Sequence, residues 1–290
     1  HIKPNLTQVF ENVRRIEAHQ KGIPERWLVK KTAIPKTNPG GQYALDAWLK
    51  TWIVNSNFNE LSPSNANAFF IEFKCTSLKN SQKKRFSGQR FTQQYISHLV
   101  QEITKEYPEN THKLKFLDHF YACAHDMGVE CTRSAPENFR NNAIGVVHTA
   151  DFIGGDANLN FWNHYDDIKP SWQSGLVFNG HRDITATPFL TSEVLKFKKS
   201  YRKCKYLAMF LGSVNGRAVR QKIFNQLQNN KDIFLGKAYG KEYVNAFHDS
   251  KFCLVIRGLT VWTRRFAEVF QYNCIPVIIS DGYLPPFSNI

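Results

Sequence analysis

The chain contains no apolar run approaching the roughly 20 residues that a membrane-spanning helix needs, no C-x-x-C pair, no internal repeat and no low-complexity tract. No spanning segment is therefore expected within these 290 residues, a structural zinc is disfavoured, and repeat architectures drop out. A disordered chain is excluded as well, because 42% of the residues are hydrophobic and 14% aromatic. The sequence does not open with a charged-then-apolar leader. Any targeting or anchoring segment is expected to have been removed or to lie outside it. What remains is a globular chain long enough for a sizeable core, and for two domains rather than one.

Acid is in short supply: 38 Lys and Arg stand against 24 Asp and Glu, a net charge of +14. Such an excess attracts polyanions over a Debye length, and nucleic acid, acidic glycan and nucleotide phosphate all qualify. The cations gather at Lys79, Lys83, Lys84, Arg85 and Arg90, and again at Lys196, Lys198, Lys199, Arg202, Lys203 and Lys205. Either cluster alone also suits a solvated loop or helix face. The six cysteines have no metal-like spacing. In an oxidising compartment Cys123 and Cys131 can close a short loop around Gly128, whereas Cys253 and Cys274, inside apolar runs, read as buried thiols. The sequon Asn5-Leu6-Thr7 is consistent with a secretory route.

Residues 1–37 are polar and interrupted by Pro4, Pro24 and Pro35, and read as an arm or stem. Helical spacing of Tyr43, Ala44, Ala47 and Trp48 predicts a helix over 43–54. A strand over 68–73 follows, then a helix over 93–107 stopped by Pro108, then strand-like "HFYACAHD" and "NNAIGVVHTADF", with this half closing near "HRDITATPF". The second half alternates more cleanly: strand "YLAMFLGS", helix 217–228, strand "DIFLG", helix 242–249, strand "KFCLVIRG", helix 263–272 and strand "IPVIIS". Short apolar runs separated by helices are the pattern of a parallel sheet covered on both faces. The expected architecture is α/β, with domains over 38–190 and 191–290.

Ligands of open parallel sheets bind beyond the carboxyl ends of the strands. There the second half places Ser213, Asn215 and Gly216 after its first strand, Arg257 and Gly258 after a later one, and Ser280 and Asp281 after the last. The helix over 263–272 is expected to bury Phe266, Val269, Phe270 and Asn273 on one face and to leave Arg264, Arg265 and Glu268 on the other. A surface ion-pair ladder accounts poorly for these charges. Acid after base is the weaker i,i+4 order, worth at best about 0.3 to 0.5 kcal/mol, and two cations in a first turn oppose the helix dipole. A bound diphosphate, facing helix amides together with Arg257 and Arg265, resolves the conflict. Nucleic-acid binding explains the net charge but not this rim.

The stretch 250–287 resembles the signature of the exostosin-like glycosyltransferases: S-K-F-C-L-x-P-R-G, then S-x-R-x-x-E, then G-C-I-P-V-I-I-S-D-x-Y-x-L-P-F. It reads here as Ser250 to Gly258, then Thr263, Arg265 and Glu268, then Cys274 to Asp281, Tyr283 and Leu284 to Phe287. "YALDAWLKTWIVNSNFNELSPSNANAFFIEF", "DHFYACAHDMG" and "YLAMFLGSVNGRAVRQKI" are similar to further family blocks in the same order, from about Gln42 to Phe287. Ile256 stands where the family has proline, Asn273 where it has glycine and Thr263 where it has serine.

The resemblance implies a GT-B fold, two Rossmann-like domains facing a cleft, and inverting transfer of a sugar from a UDP-sugar to a glycan or proteoglycan acceptor. Family members continue past the final block, so the second domain is expected to be incomplete at its C-terminus. The chain contains no D-x-D, so no metal and no tightly bound cofactor is expected, and the arginines and helix amides neutralise the leaving UDP. By the same resemblance Arg257 and Arg265 hold the diphosphate, Glu268 contacts the ribose or orients an arginine, and Thr263, Ser280 and Asp281 lie at the donor. His125 and Asp126 are the candidates for taking the acceptor's proton, whereas His119 beside Asp118 reads as structural. A lumenal Golgi domain, anchored by a segment outside this sequence and able to associate with related transferases, is implied too. The alternative is a glycan-binding or scaffold protein that keeps the fold without turnover.

Overall fold

The computed structural model describes residues 43–57, 65–80, 85–126, 128–150, 178–188, 190, 204–214, 218–258, 260–286 and 288. The expected arm with its sequon, Lys83, Lys84, Asn215, Gly216, Phe287 and the basic run from Lys196 to Lys203 lie outside the described residues. Among the described residues no helix is long and apolar enough to cross a membrane. The chain divides into two compact units. The first takes in described residues between Tyr43 and His148 and between Phe178 and Ala186; the second takes in Thr149, Ala150 and those from Thr187 onward.

The first unit runs α1 (Leu45–Asn55), β1 (Phe69–Ile71), α2 (Cys75–Asn80), α3 (Arg85–Glu106), α4 (Pro108–Lys113), β2 (His119–Cys123), a 3-10 turn (Gly128–Thr132), α5 (Glu137–Asn142), β3 (Ile144–Val147) and β4 (Ile184–Thr185). Its four strands are parallel and lie in chain order, β1-β2-β3-β4. Helix α3 begins at Arg85, ahead of the expected Gln93. The stripe Phe91, Tyr95, Ile96, Leu99, Val100 and Ile103 is fully buried, so packing along this face sustains the helix. Gly145 is required in β3, because a Cβ there would meet Val129 Cγ1 at 2.6 Å and the Tyr121 hydroxyl at 3.0 Å. Asp183 sets the entry to β4. Its carboxylate accepts from the amides of Gly145 (3.0 Å) and Asn179 (2.9 Å) and from both sides of the Arg182 guanidinium.

The second unit runs β5 (Tyr206–Leu211), α6 (Ala218–Leu227), β6 (Ile233–Gly236), α7 (Gly240–His248), β7 (Ser250–Ile256), α8 (Arg265–Gln271) and β8 (Ile275–Ile279). Every strand and helix expected in this half is present. The strands form a parallel sheet in the order β6-β5-β7-β8. The first crossover steps one way from β5 and the later ones step the other way, so right-handed connections put helices on opposite faces. Ala208, Phe210, Leu254 and Ile256 pack against Val219, Ile223 and Leu227 of α6. Met209, Leu211, Cys253 and Val255 alternate with them and are equally buried, on the side of α7 and α8. Among the described residues β8 is an edge strand, a position that tolerates Pro276. Ile279 turns its carbonyl toward Arg257 N (3.1 Å), so by the strand's period of two the proline's missing N–H falls on the outer edge.

The cysteine expectations need correction. Cys123 is joined to Cys75, tying the end of β2 to the start of α2, and Cys253 is joined to Cys274, linking β7 to the residue before β8. Cys131 is a buried free thiol whose sulfur lies within 4.8 Å of those of Cys75 and Cys123. Parallel pairing of β1 with β2 and of β7 with β8 brings these sulfurs together across 48 and 21 residues of chain, a proximity that local spacing does not report.

Asn273 closes α8 in the left-handed region, with φ of 50°. Its amide donates to Phe270 O (3.1 Å) and that of Cys274 to Val269 O (2.8 Å), the two bonds of a Schellman cap. Asparagine is the best non-glycine residue there, so the departure from the family's glycine keeps the turn. Asn273→Gly is expected to hold or slightly raise stability, and Asn273→Val to lower it by about 1 to 2 kcal/mol, read from urea denaturation midpoints.

Candidate functional site

The strand order of the second unit reverses between β5 and β7, the position where open α/β sheets bind ligands. Beyond the carboxyl ends at this point lie Ser213 after β5, Arg257 and Gly258 after β7, the segment from Thr260 to Arg264, and Ser280 with Asp281 after β8. The residues are tied to one another by main-chain and side-chain bonds. Gly258 N donates to Thr260 O (3.0 Å) and Ser280 Oγ donates to Val261 O (2.6 Å), so Ser280 fastens the β7–α8 loop to the end of β8. Thr263 opens α8: its carbonyl accepts from Phe266 N (3.1 Å), and its hydroxyl lies 3.5 Å from Arg265 N. Threonine keeps a hydroxyl in the position where the family has serine. Arg257 is half-buried and Asp281 is exposed.

The two neighbouring arginines part company. Arg265 turns inward, where its Nη2 donates to Leu211 O at the end of β5 and its guanidinium carbon lies over the rings of Tyr243 (5.0 Å) and Phe247 (5.2 Å). Its Nη1 is 3.7 Å from Glu268 Oε2 and has no hydrogen-bond partner among the described residues. Arg264 stays at the surface, its side chain 53% exposed, with Nε 3.2 Å from Glu268 Oε1. Glu268 is 2% exposed and also accepts from the Tyr243 hydroxyl at 2.6 Å. Burial, before any charge effect, pushes the Tyr243 phenol well above its ordinary range, so it remains a donor at neutral pH.

This corrects the expected faces of the helix. Arg265 and Glu268 are buried and Phe270 is 54% exposed. The reason is that α8 has only seven residues and is covered on the side of Tyr243 and Phe247 as well as on the sheet side, so it has no single apolar stripe.

Sequence reasoning missed Arg220. It lies in α6, where a cation suggests a solvent face, yet it is buried over the Phe210 ring (5.2 Å). Its Nε donates to Arg257 O (2.8 Å), Nη2 to Ile256 O (2.9 Å) and Nη1 to Ser213 O (3.1 Å). The signal was available: Arg220 precedes Ile223 by three residues and Leu227 by seven, which sets it on the buried stripe.

In the first unit, β2 runs out at the carboxyl end of its sheet into Ala124, His125 and Asp126. The His125 ring is buried and stacks on Tyr43, with centroids 5.8 Å apart and planes 20° apart. Gly128, with φ of 52°, donates its amide to His125 O (3.0 Å) and closes this turn. His119 opens β2 at the ladder's opposite end, 2.7 Å from Asp118 and stacked on Phe69. Asp46, also missed, is buried in the first turn of α1, where it accepts from the amides of Ala47 (2.9 Å) and Cys75. Burial raises its carboxyl to about 6, against those two bonds and the Lys74 charge, which lower it.

Two outcomes follow from these surroundings. Arg265→Ala leaves Leu211 O unpaired and removes the buried cation nearest Glu268, and is expected to cost about 3 to 5 kcal/mol. Arg264→Ala is expected to cost at most about 1 kcal/mol, because its charge is half in water; urea denaturation of both variants checks the contrast. The folded-state value of Asp46 lies above its unfolded one near 3.8. Its contribution is therefore fully present below pH 4 and is lost as pH rises through about 6, a loss on the order of 3 kcal/mol. Asp46→Asn is expected to flatten the decline of stability between pH 4 and 7 relative to wild type, measured by denaturation at fixed pH steps.

The sequence model of the Exostosin GT47 domain family matches residues 16–290. A probable glycosyltransferase of Arabidopsis thaliana is 28% identical over 243 residues, which are 81% of this chain and 42% of that protein. Exostosin-1a of Danio rerio is 45% identical over 130 residues, 43% of this chain and 16% of its own length. A probable glucuronosyltransferase of Oryza sativa subsp. japonica is 19% identical over 305 residues, 99% of this chain and 69% of that protein. The chain spans less than half the length of the Arabidopsis relatives, at 42%, 38% and 46%. A match that runs through both units and covers nearly the whole sequence decides the family: the chain belongs to the Exostosin GT47 domain family.

Proposed function

We propose that this protein is an inverting glycosyltransferase that moves a sugar from a UDP-sugar to a glycan acceptor. The observation that carries the reading is the rim at the switch point of the second sheet, where Ser213, Arg257, Gly258 and Ser280 surround the carboxyl ends of β5, β7 and β8 in a chain of this family. The family's relatives named as glycosyltransferases support the reaction type.

In this reading the acceptor hydroxyl oxygen attacks the anomeric carbon as the bond to UDP breaks. His125 or Asp126 takes the hydroxyl proton, and UDP leaves with the electron pair. Arg257 meets the diphosphate charge developing on UDP. Arg265 supplies buried positive charge behind the rim, and Glu268 orients Arg264 and Arg265 through its contacts with them. Thr263 and Ser280 shape the loop, and Asp281 faces the donor from the end of β8. The two disulfides support residence in an oxidising compartment, for which the Golgi lumen is proposed, and the net charge of +14 suits an acidic glycan as partner. Association with related transferases is proposed as well.

Thermal shift with UDP, UDP-glucuronic acid, UDP-galactose and UDP-xylose tests the donor. A ligand present at a hundred times its Kd stabilises by about 2.7 kcal/mol, a rise of roughly 5 °C or more in Tm. Arg257→Ala is expected to weaken nucleotide binding and shrink the rise, with little change in the unliganded Tm, and UDP release with a glycan acceptor is expected to be faster from the wild type. A protein that binds glycan but neither binds these nucleotides nor releases UDP is the non-catalytic scaffold instead.

A further inference from the structure

Three carbonyls at the switch point, those of Ser213, Ile256 and Arg257, accept hydrogen bonds from a single side chain that no catalytic role claims. Strand ends ordinarily leave their last carbonyls to water or to a turn. Here the guanidinium of Arg220 gathers them from two adjacent strands at 2.8 to 3.1 Å, with 9% of the residue exposed. Its planar fork fits such an arrangement, since Nε and Nη2 reach two consecutive carbonyls of one strand while Nη1 reaches the neighbouring strand. The Phe210 ring beneath it fixes the plane. Close approach continues beyond the clamp: a Cβ on Gly258 would lie 3.2 Å from Trp262 O and 3.8 Å from Arg220 Nη2.

We infer that Arg220 is the positioning residue of the donor site, setting the separation of the loops after β5 and β7 and fixing the peptide that carries Arg257. The inference rests on the donor reading above for its effect on nucleotide binding, and on the three hydrogen bonds alone for its effect on the loops. Lysine at this position keeps a positive charge but offers one nitrogen in place of three, so it cannot hold both strand ends at once.

The full chain is compared as wild type, Arg220→Lys, Arg257→Ala and the double variant. The readouts are far-UV circular dichroism, amide hydrogen exchange, and UDP binding by calorimetry. Arg220→Lys is expected to keep the native spectrum. It is expected to speed exchange at Arg257, Gly258, Val261 and Trp262 by tenfold or more, with Leu254 and Val255 inside β7 unchanged, and to weaken UDP binding at least tenfold. On the Arg257→Ala background the same change is expected to weaken UDP binding less than threefold, because the residue acts through Arg257. Unchanged exchange over residues 257–262 overturns the positioning role. So does faster exchange spread equally through β7, which marks a general packing loss, or full additivity of the two substitutions in binding. Wild type that binds no UDP overturns the donor reading, and the exchange pattern then decides by itself whether Arg220 positions the loops.

Discussion

Two buried guanidinium groups hold the carboxyl end of β5, and the geometry of the second unit depends on them. Arg265 comes from α8 to Leu211 O, and Arg220 comes from α6 to Ser213 O. The two helices pack on opposite faces of the sheet, so the strand end is fixed from both sides. Each guanidinium also carries a second duty. Arg220 reaches across to Ile256 and Arg257 and so couples β5 to β7, while Arg265 lies beside Glu268, which Tyr243 and Arg264 share. Charges that look like surface decoration in the one-dimensional pattern are the means by which main-chain carbonyls at a strand end avoid being buried unpaired.

This arrangement explains how an arginine pair comes to lie at a helix start against the helix dipole. One member is withdrawn from the first turn's field by its bond to the sheet, and the other is balanced by a carboxylate one turn on. Glu268 can serve both because it is nearly excluded from solvent, where an ion pair is stronger and the loss of a partner costs more than at the surface. The first unit solves its equivalent problem with acids instead. Asp183 collects two amides and an arginine at the entry to β4, and Asp46 accepts from amides at the starts of α1 and α2. In both units strand ends are held by charged groups satisfied largely by backbone.

The alternation of apolar runs with helices was legible because it is a local signal of period two or 3.6, and every strand and helix of the second unit falls where that signal lies. The rim residues were legible too, since chain order alone sets which residues follow which strand. Faces were harder. Phe270 and Arg265 exchange their expected exposures, because a seven-residue helix with neighbours on two sides has no simple inside. Arg220 was hidden by its charge, although its spacing to Ile223 and Leu227 places it on the inner stripe.

By itself the sequence determined an α/β chain of alternating strands and helices, the family it belongs to, and the set of residues beyond each strand. These follow from local periodicity and from motifs that survive in order along the chain. Only the tertiary structure decided the strand order, the partners of Cys75 and Cys253, the burial of Arg265 and Glu268, and the clamp made by Arg220. Each of those depends on which distant segments become neighbours, and a backbone carbonyl waiting for a donor leaves no mark on the residue that will supply it.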